Sequence, residues 1–386
     1  MHFIVHNKKE LSKKVALNVK TVERNTLVSS LSNIKLEVFG SELRLTSFDG
    51  NNCVVSRMDI ENISGCKQSI GSVLIDSVSF KNIVDRLTMM KSETMEFKLL
   101  EDSSEMIIKS NRTKLKVRTV LDTTDFDTVP SLYEFDTFRR VSFNKEDIAK
   151  AVSKVVKCSS KDNTKPILEA VNFVINDNLC DVVCLDGYRL ALNVLSCESS
   201  EDFTISISAT KLKSILDDIS SSTGERVELK TNGKYTLIQS GDINIFIREI
   251  EGSLAPYKKL LEKRFLYKIL MDKNELSYIV KSSMMATSKD NKIVRLTINP
   301  ENSTIVFNSK GDIISDFTDE IDIICDLAEE DTLDIAFNST YLLDLIGNID
   351  SQNIKIYLND SVSPVYIENE DDPSSVYLVL PVRINR

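Results

Sequence analysis

A chain of 386 residues that is 42% hydrophobic and 27% charged has the length for two or three domains with ordinary cores, and no run of about 18 apolar residues offers a membrane span. A net charge of −10 with a pI near 5.0 excludes an overall basic, tight binder of nucleic acid, so any such contact has to come from local charge. Seven cysteines, scattered at Cys53, Cys66, Cys158, Cys180, Cys184, Cys197 and Cys325, speak against a disulfide framework; the N-terminus lacks a signal-peptide pattern, so a cytoplasmic protein is expected.

Taken in chain order, a first helix is expected over Glu10–Glu23, then strands near Ser32–Val38 and Glu42–Ser47, closed by the Asp49-Gly50 turn. A second helix covers Val78–Leu87, and alternating strands follow at Glu96–Leu100 and Glu105–Lys109. The same order then recurs: helix Lys145–Lys157, strands Ala170–Ile175 and Cys180–Leu185, turn Asp186-Gly187, helix Thr210–Ile219, strands Val227–Thr231 and Tyr235–Ser240. It recurs again as helix Lys273–Ala286, strands Val294–Asn299 and Ser303–Asn308, helix Thr340–Ile349, strands Ile354–Leu358 and Val365–Glu368. The second helices open at Val78, Thr210 and Thr340, offsets of 132 and 130 residues. That period is domain-sized, so the chain reads as three copies of one domain at 1–130, 131–255 and 256–386, joined by connectors at Asp125–Ser131 and Gly252–Tyr257. Many alternating strands and few helices make it α+β with antiparallel sheets.

The helices carry the local charge. At about 100° per residue, Lys13, Lys20 and Arg24 share one face opposite Leu11, Val15 and Val22, with Leu17 intruding. In the second copy Lys150, Lys154, Lys157 and Lys161 form a cleaner stripe opposite Ile148, Val152 and Val155. The third copy offers mainly Lys281, and the second helices are mixed, with Lys81 and Arg86, Lys211 and Lys213, but also Asp217 and Asp218. A polar helix face is often only a solvated face. Its recurrence in an acidic chain points to weak, sequence-independent and salt-sensitive contact with phosphates.

Catalytic chemistry is sparse. The two histidines, His2 and His6, sit together near residue 1, and 11 glycines include no phosphate-binding loop. Cys180 and Cys184 share a strand face without a matching second pair and read as buried apolar side chains. Asp49 and Asp186, each before a glycine, read as strand-end turns whose carboxylates accept backbone N–H bonds. No catalytic residue, metal or cofactor is expected, and the chain reads as a protein that is not an enzyme.

The run Lys165-Pro166-Ile167-Leu168-Glu169-Ala170-Val171-Asn172-Phe173, continued by Leu185-Asp186-Gly187-Tyr188-Arg189-Leu190-Ala191, and the run Leu378-Val379-Leu380-Pro381-Val382-Arg383 are similar to motifs of the bacterial sliding clamps, the β subunits of DNA polymerase III. Phe337–Tyr341, Asn359–Ser363 and Arg24–Leu27 match in order as well, so the resemblance covers essentially the whole chain. It implies the DNA-clamp fold: three domains per chain, sheets outside, and helices lining a ring formed by a head-to-tail homodimer around duplex DNA. Lys13, Lys20, Arg24, Lys81, Lys150, Lys154, Lys157, Lys161, Lys211 and Lys281 would then face DNA. The resemblance also implies a cleft for short hydrophobic motifs of the polymerase, the clamp loader and repair proteins. Its lining would be Leu168, Leu185, Gly187, Tyr188, Arg189, Leu190, Lys259, Leu260, Asn338, Tyr341, Val362, Pro364, Leu378, Leu380, Pro381, Val382 and Arg383. The dimer seam would pair the Leu115 region with Met284 and Met285. Leu185 stands where the family often has Thr, Pro364 replaces a small polar residue, Leu254–Tyr257 shifts an aromatic-Pro pair by one position, and Asn385-Arg386 extends the usual ending. The implied function is a processivity factor that tethers the replicative polymerase; a clamp paralogue with a specialised repair or phage-linked partner is the alternative. A carboxylate-dependent hydrolase and a monomeric peptide-binding scaffold are more distant readings.

Overall fold

Side-chain caps decide where the helices start. Asn7 accepts the Glu10 N–H, so helix α1 spans Lys8–Thr21, two residues ahead of the sequence expectation. Asp76 caps α2 (Ser77–Thr88) in the same way. Helix α3 covers Lys145–Val155 and tightens into a 3-10 turn at Val156–Cys158. Helices α4 (Ala209–Ile219) and α5 (Tyr257–Leu260) follow. Asp272 caps α6 (Lys273–Ser283), which ends in a 3-10 turn at Met284–Ala286, and Asn338 caps α7 (Ser339–Ile346). The computed structural model describes residues 1–22, 28–63, 71–100, 104–129, 138–162, 164–220, 222–261, 265–287, 292–311, 314–327 and 332–383; Arg24, Cys66 and Ile384 lie outside them.

The chain forms two compact units, one of Met1–Lys145 with Asp217–Glu249, the other of Glu146–Leu216 with Ile250–Arg386. In the first unit, one antiparallel sheet orders strands Glu61–Asn62, His2–Val5, Met95–Leu99, Glu105–Ser110 and Thr113–Arg118. A second runs Arg139–Asn144, Arg226–Thr231, Tyr235–Ser240, Ile243–Arg248, Cys53–Asp59, Glu42–Phe48, Asn33–Phe39 and Ser72–Asp76. Alternation along Asn33–Phe39 buries every second side chain. Between the sheets and α1 and α2, Phe3, Leu11, Val15, Leu36 and Phe80 share a core in which Phe3 stacks on Phe97 at 4.8 Å. The connector after Thr123 is not a free linker. It makes a 3-10 turn that buries Phe126 with Leu31, Phe48, Leu237 and Phe246.

The second unit holds a sheet of Phe203–Ser208, Ala170–Asn176, Leu179–Leu185, Arg189–Ser196, Ser375–Val379, Val365–Asn369, Asn353–Leu358, Tyr267–Asp272 and Ile324–Leu327. A smaller sheet orders Phe317–Asp322, Thr304–Ser309, Ile293–Asn299 and Leu333–Asn338. In each unit, strands far apart in sequence join into one ladder. Ile243–Phe246 pairs with Cys53–Ser56, and Ser375–Val379 with Arg189–Asn193.

One device repeats three times. The lysine opening α1, Lys8, donates at 2.8 Å to the carbonyl of Leu87, in the last turn of α2, and at 3.0 Å to that of Met90, just past its end. Lys145, opening α3, donates to Ser222 O, and Lys273, opening α6, donates to Ile349 O, each at 3.0 Å. Each ammonium meets the negative end of the neighbouring helix, or the turn that follows it, where carbonyls lack partners. Lys8 is only 7% exposed, and burial lowers its pKa. Replacing it by Met keeps the stem but takes the charged donor from two carbonyls, leaving Leu87 O with the Met90 N–H at 3.2 Å, so urea denaturation of Lys8→Met will show a loss of about 1.5–3 kcal/mol. An unchanged midpoint would show that water replaces the ammonium at no cost.

Candidate functional site

The Asp186–Arg189 turn is built as the sequence implies. Asp186 Oδ1 accepts the N–H groups of Tyr188 and Arg189, both at 2.9 Å, and Gly187 takes φ 91°, which a side chain resists. Asp49 does the same for Asn51 and Asn52, with Gly50 at φ 88°. Both carboxylates are turn-formers.

Arg189 then converts the turn into a platform. Its Nε donates to Asp186 Oδ2 at 3.0 Å, Nη1 to Asp344 Oδ2 at 2.6 Å, and Nη2 to Lys157 O at 2.7 Å. Burial works against the charge, but the bonds to Asp344 and Asp186 outweigh it and raise the guanidinium pKa further. The guanidinium lies 4.4 Å from the Tyr341 ring centre, and that ring stacks on Tyr188 at 6.0 Å. Tyr188 is 61% exposed, so the outer end of this stack is open to a ligand. Asn338 sets α7 in place by accepting the Thr340 and Tyr341 N–H groups.

An apolar floor lies on the same strands. Leu185, Leu190 and Leu378 are buried with Val183, Tyr257 and Tyr366, and Leu168 and Leu380 pack partly exposed against them. Leu380 N donates to Tyr188 O at 2.8 Å and Val382 N to Ala336 O at 2.7 Å, so the segment around Pro381 straps the Arg189 strand to the strand leading into α7. Helix α5 is anchored by Tyr257, whose hydroxyl donates to Asp181 at 2.6 Å, and it carries the exposed Lys259 and Leu260. Val362 is exposed in a turn closed by Asp360, Pro364 is half-buried at the next strand, and Arg383 is exposed.

Asp344 was not anticipated. It lies 155 positions from Arg189, yet Tyr341 and Asp344 are three residues apart on α7 and so share a face, which is the signal that points to it. The site offers an apolar floor, an aromatic stack and a fixed cation, which suits a short apolar peptide better than bond-making chemistry. Burial pushes the Cys158 thiol up to about 12 and raises Cys180 and Cys184 well above the usual range, removing them as nucleophiles. Among the described residues, no group of three His, Cys, Asp or Glu side chains could hold a metal.

The helix lysines divide. Lys13 and Lys20 on α1, Lys150 on α3, and Lys157, Lys161, Lys211 and Lys281 are exposed. Lys154 leaves the expected stripe. Only 16% exposed, it pairs with Asp372 at 2.7 Å and reaches Ser375 at 3.2 Å, because the turn before the strand Ser375–Val379 lies against α3. Lys81 pairs with Asp85 one helical turn away. Burial alone would raise the Asp372 pKa, but Lys154 and Ser374 hold it down to about 2. Asp372 therefore contributes stability that is full above the unfolded value, about 3.9, and is lost as pH falls toward 2. Asp372→Asn will flatten the acid limb of a stability–pH profile between those values; an unaltered limb would place the acid sensitivity elsewhere.

Of the expected seam residues, Leu115 is half-buried on the edge strand Thr113–Arg118. Met284 is half-buried and Met285 68% exposed on the turn after α6.

Comparison with known proteins matches three successive family models of the DNA polymerase III beta subunit: its N-terminal domain over residues 1–130, central domain over 142–256 and C-terminal domain over 258–383. The beta sliding clamp of Bacillus subtilis is 24% identical over 376 residues, and that of Staphylococcus epidermidis 23% over 371, each match spanning 95% of both chains. Among solved structures, the DNA polymerase III subunit beta of Pseudomonas aeruginosa superposes with a TM-score of 0.89 at 20% identity, and the beta subunit of Streptococcus pyogenes with 0.88 at 20%, each over 100% of both chains. No helix among the described residues is long and apolar enough to cross a membrane.

Proposed function

The chain belongs to the DNA polymerase III beta subunit family, and we propose that it is a sliding clamp, a non-enzymatic processivity factor. Its domains are 1–130, 131–255 and 256–386. Two copies close head to tail around duplex DNA, and polymerase, loader and repair partners dock short apolar motifs on the Tyr188–Tyr341 platform. Lys13, Lys20, Lys150, Lys157, Lys161, Lys211 and Lys281 face the DNA, whose retention comes from encirclement, so these contacts stay weak enough to slide.

The observation that carries this reading is a repeated junction with one member unpaired among the described residues. Ser56 and Asn193 each sit opposite the fourth residue of the preceding strand, Leu45 and Val182. Each also pairs with the first residue of a distant strand, Ile243 and Ser375 respectively. The third equivalent is Asp319, opposite Phe307. It lies on Phe317–Asp322, an outer strand of its sheet, as Thr113–Arg118 is of another. Carrying the register across two copies sets Asp319 against Thr113 of the partner subunit. Phe317 then meets Leu115 of the partner subunit, Asp316 meets Lys116 of the partner subunit, and Glu320 meets Arg112 of the partner subunit. One edge is basic and the other acidic, as a seam between unlike edges requires, and Met284 and Met285 follow α6, which packs on the acidic strand.

The test is retention on nicked circular DNA after loading, at high salt, before and after linearisation. The clamp reading expects the protein to stay on circles and run off linear DNA. Equal loss from both would leave ordinary surface binding and sink the reading.

A further inference from the structure

Beside α1, within the first unit, lies an open recess of about 420 Å³, inside the range of roughly 300–1,000 Å³ usual for small-molecule sites. Of its lining, only Lys13 is also assigned to the DNA-facing row of the clamp reading. Its floor is the buried Lys14, paired with both Asp242 and Glu10. Thr223 donates to the other Asp242 oxygen at 3.2 Å, and Asn7 donates to Glu10 at 3.0 Å. Leu17 and Ile243 supply an apolar wall, each about nineteen parts in twenty buried. Lys9 and Lys13 stand exposed at the rim, one helical turn apart, with Cβ atoms about 5–6 Å from each other. Behind Thr223 and Asp242 lies a tight backbone crossing. Gly241 has φ 55°, and a Cβ there would meet Gly224 N at 2.8 Å, so glycine at that position lets the backbone pass close behind Thr223 and Asp242, which line the recess.

We propose that this recess binds a nucleotide. A phosphate fits between the two rim ammoniums, whose charges no neighbouring carboxylate among the described residues claims. The flat, partly apolar base lies on Leu17 and Ile243. Its N–H donors meet the carboxylates of Glu10 and Asp242, which retain unused lone pairs after accepting from Lys14, Thr223 and Asn7. The floor is already neutralised, so the phosphate's affinity comes from the rim and selectivity for the base comes from the floor. The ligand is either a free nucleotide or one unpaired nucleotide of a DNA strand.

Calorimetric titration of the full chain with deoxyadenosine monophosphate, deoxyadenosine and the tetranucleotide (dA)4 tests this. One saturable site per chain is expected, with deoxyadenosine at least about tenfold weaker than its monophosphate. The double variant Lys9→Glu/Lys13→Glu should weaken the monophosphate by at least about tenfold. Thr223→Trp, which fills the recess and keeps the charges, should abolish binding while the circular dichroism spectrum stays unchanged. Tighter binding of (dA)4 than of the monophosphate identifies a strand as the source, and the reverse identifies a free nucleotide. Absence of saturable binding by either, or binding that both variants leave intact, overturns the proposal.

Discussion

Reversing Arg112, Lys114 and Lys116 to glutamate will give a folded monomer of 43.5 kDa in place of the proposed dimer. In the proposed seam Arg112 faces Glu320 of the partner subunit and Lys116 faces Asp316 of the partner subunit, with Lys114 diagonal to both and opposite Thr318 of the partner subunit. Cross-strand charge pairs contribute roughly 0.2–1 kcal/mol each and like charges cost similar amounts. Turning the whole row repulsive should weaken association by about 100- to 1,000-fold. Lys116 already reaches Glu105, and Asp316 reaches Lys310, within one copy, which keeps the figure at the lower end. The complementary variant, Asp316→Lys with Glu320→Lys, will also be monomeric. Mixed one to one, the two variants should dimerise, because each acidic edge then finds a basic one at both seams. Light scattering reads all three states. Dimers of either variant alone, or no assembly on mixing, would reject the register.

Tyr341→Ala should cost partner peptides about 30- to 1,000-fold in affinity, as loss of an aromatic anchor worth roughly 2–4 kcal/mol does, and should remove polymerase stimulation. The ring does two jobs at once: it covers the Arg189 guanidinium and supports Tyr188. It is half-exposed, so its removal leaves the core intact and thermal unfolding nearly unmoved. Arg189→Lys is the sharper companion. A lysine keeps the charge but cannot reach Asp186, Asp344 and Lys157 O together. It should lower both stability and peptide affinity, which separates positioning from direct contact. Deleting Leu380 to Val382 tests the strap, since Tyr188 O and Ala336 O would both lose donors. Stimulation that survives Tyr341→Ala and this deletion would move the docking surface elsewhere.

Local chemistry made much of this molecule legible from its residues. Strand alternation in Asn33–Phe39, the Asp-Gly turns at 49 and 186, and the triple helix–sheet order needed only neighbours within a few positions. Their causes are short-range: side chains alternate across a strand, and a carboxylate caps the turn that its own glycine permits. The platform residues Tyr188, Arg189 and Tyr341 were legible too, through their motif. Boundaries slipped where a cap decided them, as at Asn7.

What only the tertiary structure decided was the fate of each charge and each strand edge. Lys13, Lys14 and Lys154 look alike as sequence. One stands in solvent, one is buried with Asp242 and Glu10, and one is tied to Asp372, 218 positions away. Likewise Arg189 becomes a fixed cation only because Asp344 arrives on another helix, and the ladder Ser375–Val379 with Arg189–Asn193 joins strands that no local pattern connects. Hydrophobic period sets which face of an element turns inward, but it is indifferent to what that face meets. The partner of a buried charge and the order of strands in a sheet are chosen by packing between distant segments, where an unpaired ion or open ladder would cost more than local preference can offset.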